Sequence, residues 1–239
     1  MQARVAARTL VSASTEQKNQ ALGEMAIALR STSAELVAAN ALDVEAAKSA
    51  GKNSAFLDRL LLDAGRVEAM AAAVESVAAL PDPVGEVTER WTRPNGLKVR
   101  KERLPLGVVL MIYEARPNVT SDAAALCLKS GNAAILRGGS ESFRTNQAIA
   151  GALAIGLEKA GLPIHAVQLV PSTDRESMLE LLKLEGLIDL CIPRGGEGLI
   201  RFVVEHARVP VVKHYQGVCH VYVEQTADLE MAERIIVNA

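Results

Sequence analysis

The sequence predicts an α/β fold in which a helical N-terminal part and a β-hairpin precede a parallel sheet wrapped by helices. Three observations predict it. Residues 1–80 are dominated by the strong helix formers Ala, Leu, Met, Glu and Lys, without β-branched runs. Residues 84–103 change character around an Asn-Gly pair, Trp91-Thr-Arg-Pro-Asn-Gly96, the strongest short hairpin signal. From Gly107 onward, short apolar runs alternate with helical patterns, which is the signature of a parallel sheet buried on both faces.

The divisions follow in order. Residues 1–83 form the helical part, with capping-box patterns at Ser14-Thr-Glu-Gln17 and Thr32-Ser-Ala-Glu35 and a break at Gly51-Lys-Asn-Ser54, and it closes on Leu80-Pro-Asp-Pro83. Residues 84–103 form the hairpin. Its charged second strand reads equally well as a solvated strand or as one that pairs with another subunit's sheet edge. Residues 104–239 form the α/β part. Strands are expected at 107–113, 133–137, 166–170, 187–192, 209–213 and 220–223, and helices at 119–130, 141–160, 174–184, 196–207 and 228–238. Thr173-Asp-Arg-Glu176 is placed to cap the third of those helices, and Gly161-Leu-Pro163 to stop the second.

Composition excludes several classes. The chain has 239 residues, 26 basic against 28 acidic, and a formal net charge of −2. That balance argues against a nucleic-acid surface, although a local phosphate pocket remains open. No apolar run approaches the ~20 residues that cross a bilayer, and no signal-type segment follows the basic N-terminus. Three scattered cysteines, Cys127, Cys191 and Cys219, point to a reducing, cytoplasmic setting without a disulfide framework. No metal-ligand spacing is present.

Candidate chemistry gathers where strands end. The apolar run 108–112 stops in Tyr113, Glu114, Arg116 and Asn118, a polar cluster at the carboxyl end of a strand, where open α/β sheets bind ligands. Glu114 and Arg116 are either ligand contacts or a local ion pair. Asn118 is either a helix N-cap or a donor to a developing oxyanion, and the two roles are compatible. Arg137-Gly-Gly-Ser-Glu141 sits between a strand and a helix, where glycines permit close approach and the helix N-terminus favours an anion; the competing reading makes Ser140 an N-cap. Pro193-Arg-Gly-Gly-Glu-Gly198 repeats the arrangement, and neither turn meets a standard phosphate motif. Cys127 and Cys191 read as small buried hydrophobes, and Cys219 leads into an alternating strand beside His220, so none is the expected nucleophile.

Longer motifs go further. Tyr113-Glu-Ala-Arg-Pro-Asn-Val-Thr120, Ala125-Leu-Cys-Leu-Lys-Ser-Gly-Asn132, Ile135-Leu-Arg-Gly-Gly-Ser-Glu141, Ile192-Pro-Arg-Gly-Gly-Glu-Gly-Leu199, Gly217-Val-Cys-His-Val-Tyr-Val223 and Ile236-Val-Asn-Ala239 stand in order. Together with Ala39-Asn-Ala-Leu-Asp43 and Phe56-Leu-Asp-Arg-Leu60, this series resembles the γ-glutamyl phosphate reductase family of the aldehyde dehydrogenase superfamily, over essentially the whole chain.

The resemblance implies a Rossmann-like cofactor domain of the aldehyde dehydrogenase fold, carrying N-terminal helices and a hairpin. It implies NADPH-dependent reduction of L-glutamyl 5-phosphate to glutamate 5-semialdehyde with release of phosphate, through a thioester on a cysteine. By the same resemblance Asn118 is the oxyanion donor, and Arg137, Gly138, Gly139, Ser140, Glu141, Gly195, Gly196 and Gly198 line the NADP site. Glu114, Arg116 and His214 face the substrate. A homo-oligomer associated with glutamate 5-kinase is implied as well, with no nucleic-acid or membrane partner. The family's motif continues past Asn-Ala to its catalytic Cys. Here Asn238-Ala239 closes the chain, so the expectation is a piece without the nucleophile, catalytically inactive alone. Another acyl reductase of the superfamily and a non-catalytic nucleotide-binding protein are the competing readings.

Overall fold

The computed structural model describes residues 1–213 and 220–238. The N-terminal region folds into α1 (Gln2–Leu10), α2 (Thr15–Ser31), α3 (Ser33–Ser49), α4 (Ser54–Leu60) and α5 (Ala64–Ala79). Ser14 caps α2 by accepting from the Gln17 N–H at 3.2 Å, as its capping pattern predicts. The second pattern fails. Thr32 makes no cap bond because its hydroxyl donates back to the Ala28 carbonyl at 2.8 Å, leaving α3 to follow α2 almost without a break. After α5, the Leu80–Pro83 segment is pinned to α2. The ammonium of buried Lys18 lies 2.5 Å from Asp82. Burial alone would raise the Asp82 carboxyl, but hydrogen bonds from Lys18, Thr15 and the Val84 N–H outweigh it and hold the group below its ordinary range.

The hairpin pairs β1 (Val87–Thr92) with β2 (Lys98–Glu102) in antiparallel register. Its Asn-Gly turn is a three-residue loop. Gly96 N–H donates to the Arg93 carbonyl, the Arg93 N–H donates to Leu97, and Gly96 has φ +82°. Nearly all of its side chains are exposed, Trp91 included.

The α/β part continues with β3 (Val108–Tyr113), α6 (Asn118–Lys129), β4 (Ala133–Arg137), α7 (Phe143–Lys159), β5 (Val167–Leu169), α8 (Arg175–Leu182), β6 (Leu190–Arg194), α9 (Glu197–His206) and α10 (Leu229–Asn238). Four strands form a parallel sheet in the order β5-β4-β3-β6. β3 is buried along almost its whole length, as an apolar strand covered on both faces must be. At its amino end, Asp189 accepts from the Val108 N–H at 2.7 Å and from Arg4 on α1. One core runs from Ala3 on α1 through α2, α5 and the sheet to Val209. Each fully buried Leu in it, such as Leu22, Leu29 or Leu110, contributes about 1.5–3 kcal/mol.

Two expected strands differ. Residues 209–213 form one bridge, Cys191↔Val211, in place of a strand. The Cys191 N–H donates to Pro210, and the Val212 N–H donates to Cys191. The next ladder donor would be Pro193, which has no N–H, and pairing stops there. Residues 220–223 carry no strand, and the residues just before them lie outside those described. Two caps also shift. Asp174, one residue past the predicted Thr173, caps α8 by accepting from Ser177. α7 starts at Phe143, later than Ser140 as N-cap would require, after a 3-10 turn over Ser140–Ser142. The stop at Gly161 is as expected: with φ +65° it donates to Glu158 while Leu162 donates to Leu157, closing α7. Among the described residues, no helix is long and apolar enough to cross a membrane.

The crossing of α2 and α7 is unusually close. A Cβ at Gly156 would lie 2.5 Å from the Met25 backbone nitrogen, whereas one at Gly151 on the same helix would meet nothing within 4 Å. Gly156→Ala is therefore expected to destabilise the chain by about 1–3 kcal/mol through overpacking. Gly151→Ala should stabilise it by about 0.5–1 kcal/mol through helix propensity. Urea denaturation midpoints of the two variants against the parent chain check both signs; equal shifts would refute the close crossing.

Candidate functional site

In the order β5-β4-β3-β6 the chain leaves β3 toward β4 on one side and returns to β6 on the other, so the carboxyl ends of β3 and β6 flank a topological switch point. A cleft of about 330 Å³ opens there, lined by Phe56, Arg59, Glu114, Arg116, Arg194 and Gly195 among others. Glu114 leaves β3 with its N–H on the Arg194 carbonyl at 3.3 Å. Its carboxylate accepts from the Gly196 N–H at 3.1 Å, at the N-cap position of α9. A carboxylate there satisfies an orphan donor at the positive end of the helix dipole. Gly195 is needed for this seat, since a Cβ would lie 2.6 Å from the Glu114 carboxyl carbon. Gly196 is the N-cap itself, and Gly198 lies inside the first turn of α9 with open space around it. Among the described residues, no ion pair joins Glu114 to Arg116; the Glu114 carboxylate is held by the Gly196 N–H instead.

Arg137 ends β4. Its guanidinium donates to the Thr173 carbonyl at 2.5 Å and to the Asp174 carbonyl at 3.3 Å, while its buried Nε has no partner among the described residues. Burial lowers its pKa, opposed by Asp174 and Glu141. Gly138 makes room for the protein's own groups, because a Cβ would fall 2.2 Å from Asn146 Nδ2 and 3.2 Å from the Tyr113 ring. A Cβ at Gly139 would meet Glu141 Oε2 at 3.0 Å. The Ser140 hydroxyl donates to Glu141, which pairs with Lys52 at 3.2 Å. Burial alone would raise the Glu141 carboxyl, but backbone and Lys52 hydrogen bonds hold it below its usual range.

A buried polar chain lies under this turn. The Tyr113 hydroxyl donates to Thr120 Oγ1 at 2.8 Å, because that hydroxyl's own proton is committed to Asn146 Oδ1 at 3.0 Å. Asn146 Nδ2 in turn donates to Ser142 at 3.0 Å. Beside it, Asp43 on α3 accepts the Thr145 N–H at 2.8 Å and the Thr145 hydroxyl at 2.7 Å, doing from 102 residues away the capping work that Ser140 does not. Asn40, one turn earlier, donates to Leu60 and Thr145 and accepts from the Leu62 N–H. Sequence reasoning missed Asn40, Asp43, Thr145 and Asn146 as structural groups. The signal that could have found Asn40 and Asp43 is their Asn-x-x-Asp spacing, which puts two polar groups on one face of an otherwise apolar helix.

Asn118 is the first residue of α6, not its cap. Its Nδ2 donates to Asp122 Oδ2 at 2.8 Å, one turn on. Burial raises the Asp122 carboxyl, partly offset by that bond. Asn118 faces a second cleft of about 460 Å³, whose wall it shares with Asp58, Arg59, Arg66, Arg116 and Pro117. Arg59 and Arg116 border both clefts. Arg59 was quoted in the sequence only as part of a resemblance, and nothing in its local pattern marked it for the crevice.

Buried Cys127 and Cys191 have their thiols pushed up to about 12, so both are protonated at neutral pH and unsuited to nucleophilic attack. His214 and Cys219 lie outside the described residues. Among the described residues, no group of three or more His, Cys, Asp or Glu is arranged to hold a metal.

The model of the aldehyde dehydrogenase family matches residues 1–239. The chain belongs to that family. Its members are oxidoreductases that use nicotinamide cofactors. The chain is 57% identical over 237 residues to a protein of Geobacter metallireducens named gamma-glutamyl phosphate reductase, covering 99% of this chain and 57% of that one. It superimposes with a TM-score of 0.92 and 41% identity on a crystal structure of gamma-glutamyl phosphate reductase from Thermotoga maritima, covering 99% of this chain and 57% of that chain. The corresponding values for the Saccharomyces cerevisiae structure of that name are 0.83 and 34%, with 99% and 60% covered. The chain thus spans 57% of the length of the first of these relatives. Its mixed α/β architecture, with a four-stranded parallel sheet and a two-stranded hairpin, is the aldehyde dehydrogenase-type fold that the resemblance implied.

Burial pushes the Tyr113 phenol up to about 12, with the Thr120 bond working against it. The folded value exceeds the ordinary value near 10, so the neutral phenol's contribution to stability is complete below about pH 10 and is lost as pH rises toward 12. Tyr113→Phe should flatten that alkaline loss in denaturation midpoints measured from pH 9 to 11. It should also lower stability at pH 7 by about 1 kcal/mol, because Thr120 loses its donor. An unchanged alkaline slope would rule out the buried phenol as its source.

Proposed function

We propose that this chain is the cofactor-binding part of an enzyme that reduces L-glutamyl 5-phosphate to L-glutamate 5-semialdehyde with NADPH and releases phosphate, a step of proline biosynthesis. The likeness that carries the reading is the 57% identity over 237 residues to a protein named for that reaction. The geometry supports it with a crevice at the switch point, glycine turns after β4 and β6, and Asn118 on the wall of the adjoining cleft.

The residues fit a dinucleotide phosphate. The orphaned Arg137 Nε and the N-terminus of α9 are donors of the kind a phosphate accepts from. On this reading, Arg137 faces the ribose 2′-phosphate, and Gly138, Gly139, Ser140 and Glu141 form the floor of that turn. Gly195, Gly196 and Gly198 let the pyrophosphate approach α9. NADPH, when bound, supplies the hydride.

The chain's own residues then serve a thioester route. A thiolate attacks the acyl carbonyl carbon, phosphate leaves with the C–O electron pair, and a thioester forms. The hydride that NADPH would supply would reduce the thioester carbon, and loss of the hydroxyl proton and the thiolate from the resulting hemithioacetal would give the aldehyde. Asn118 Nδ2 commits one N–H to Asp122 and has a second to give the oxyanion in both steps. Glu114, Arg116 and His214 face the substrate. On this reading the thiolate belongs to the part of the relatives' length that this chain does not span; Cys127 and Cys191 are buried and protonated, and Cys219 lies outside the described residues. The N-terminal helices at 1–83 brace the cofactor part at 104–239. The hairpin at 84–103 pairs with a second subunit in a cytoplasmic homo-oligomer, which associates with glutamate 5-kinase.

The test has two arms. The 239-residue chain should bind NADPH by fluorescence enhancement yet show no phosphate-dependent NADP⁺ reduction with glutamate 5-semialdehyde. The protein carrying this chain at its relatives' full length should show that activity. Arg137→Ala should weaken NADPH binding about ten-fold and leave NADH unchanged. Equal loss for both cofactors would remove the 2′-phosphate role, and turnover by the 239-residue chain would place the nucleophile within it.

A further inference from the structure

We infer that Arg59, Arg116 and Arg194 form one phosphate-recognition site in the switch-point crevice, and that its ligand is the phosphate of the acyl phosphate substrate rather than the diphosphate of the cofactor. This rests on the proposed reductase reading and names the part of the site that takes the leaving group.

All three arginines line the same cleft of about 330 Å³. They come from three separate segments: α4, the β3–α6 connection and the end of β6. Such convergence differs from a solvated charged helix face, where the cations share one element. None of the three makes an ion pair or a side-chain hydrogen bond to another described residue. Several arginines elsewhere are paired: Arg30 with Glu68 and Glu75, Arg66 with Asp58, Arg144 with Asp43. The cleft's own carboxylate, Glu114, is committed to the Gly196 N–H and is outnumbered. Three like charges facing one space repel one another unless an anion joins them. A guanidinium presents a planar fork of donors, which matches phosphate oxygens bidentately.

The position of Arg59 is fixed by packing. Its neighbour Leu60 is fully buried in a small apolar cluster with Val44, Ala47 and Ala115, and Ala115 adjoins Arg116. The same contact that docks α4 therefore brings the two arginines to one wall. That wall separates the crevice from the cleft holding Asn118, because Arg59 and Arg116 border both. An acyl phosphate whose phosphate sits on this wall presents its carbonyl on the Asn118 side. The cofactor's phosphates have their own donors in Arg137 and in the N-terminus of α9.

Inorganic phosphate is the probe. Titrated into the 239-residue chain by calorimetry at fixed ionic strength, it should bind, and Arg59→Ala and Arg194→Ala should each weaken it about ten-fold. NADP⁺ affinity, measured on the same samples, should stay within about two-fold for Arg59→Ala. Arg59→Lys, with an unchanged thermal midpoint, should recover only part of the phosphate affinity, since the fork is lost. Absence of phosphate binding, or binding untouched by the alanine variants, overturns the site. Parallel loss of phosphate and NADP⁺ affinity in Arg59→Ala overturns it too, by giving the arginines to the cofactor's diphosphate. The reductase reading fails separately: phosphate bound through these arginines in a full-length protein that does not reduce glutamyl phosphate leaves the anion site standing alone.

Discussion

The rest of the structure hangs on the buried carboxylate of Asp43. It is 2% exposed, its Oδ2 accepts twice from Thr145 of α7 and its Oδ1 from Arg144, and Asn40 beside it ties the α4–α5 connection to the same point. Through this node the helical layer holds the first turn of α7. The next residue, Asn146, continues into the Ser142–Asn146–Thr120–Tyr113 chain under the β4–α7 turn. A fully satisfied buried network admits few alternative arrangements, and each orphaned member would cost about 1–3 kcal/mol. The shape of the candidate cofactor turn is thereby set by residues more than 90 positions earlier in the chain.

Much of the architecture was legible because it is locally encoded. Helix-forming composition in residues 1–80, apolar runs at β3 and β4, and Gly161 at the end of α7 each express a short-range preference that the tertiary structure leaves in place. What was not legible depends on long-range competition. Thr32 has the sequence of a cap, yet its hydroxyl found a nearer acceptor in the preceding turn. Ser140 has the right identity for capping α7, but a charged group from α3 reached the helix first. The strand at 209–213 was read from apolar content, whereas its pairing was decided by a proline on the neighbouring strand.

The glycines of the two strand-to-helix turns show the same limit at the site. Sequence reading assigned them to ligand approach. In the structure, Gly138 leaves room for Asn146 and Gly195 leaves room for Glu114. The absence of a side chain there serves the protein's internal polar groups first. The position of the crevice was readable from the polar cluster after β3, whereas its second wall was not. Arg59 lies 55 residues before Glu114 on a short helix whose docking rests on Leu60 against Ala115.

The proline in β6 has a further consequence. A strand at the margin of a sheet is a template on which a foreign strand can grow, one backbone bond after another. Among the described residues β6 stands at such a margin; its outward donor at Cys191 is already taken by the Pro210 carbonyl, and the next outward position, Pro193, has no proton to offer. An incoming strand from another molecule would therefore meet a break in the ladder at Pro193. The margin beside the crevice can stay open to small molecules while remaining a poor seed for intermolecular aggregation.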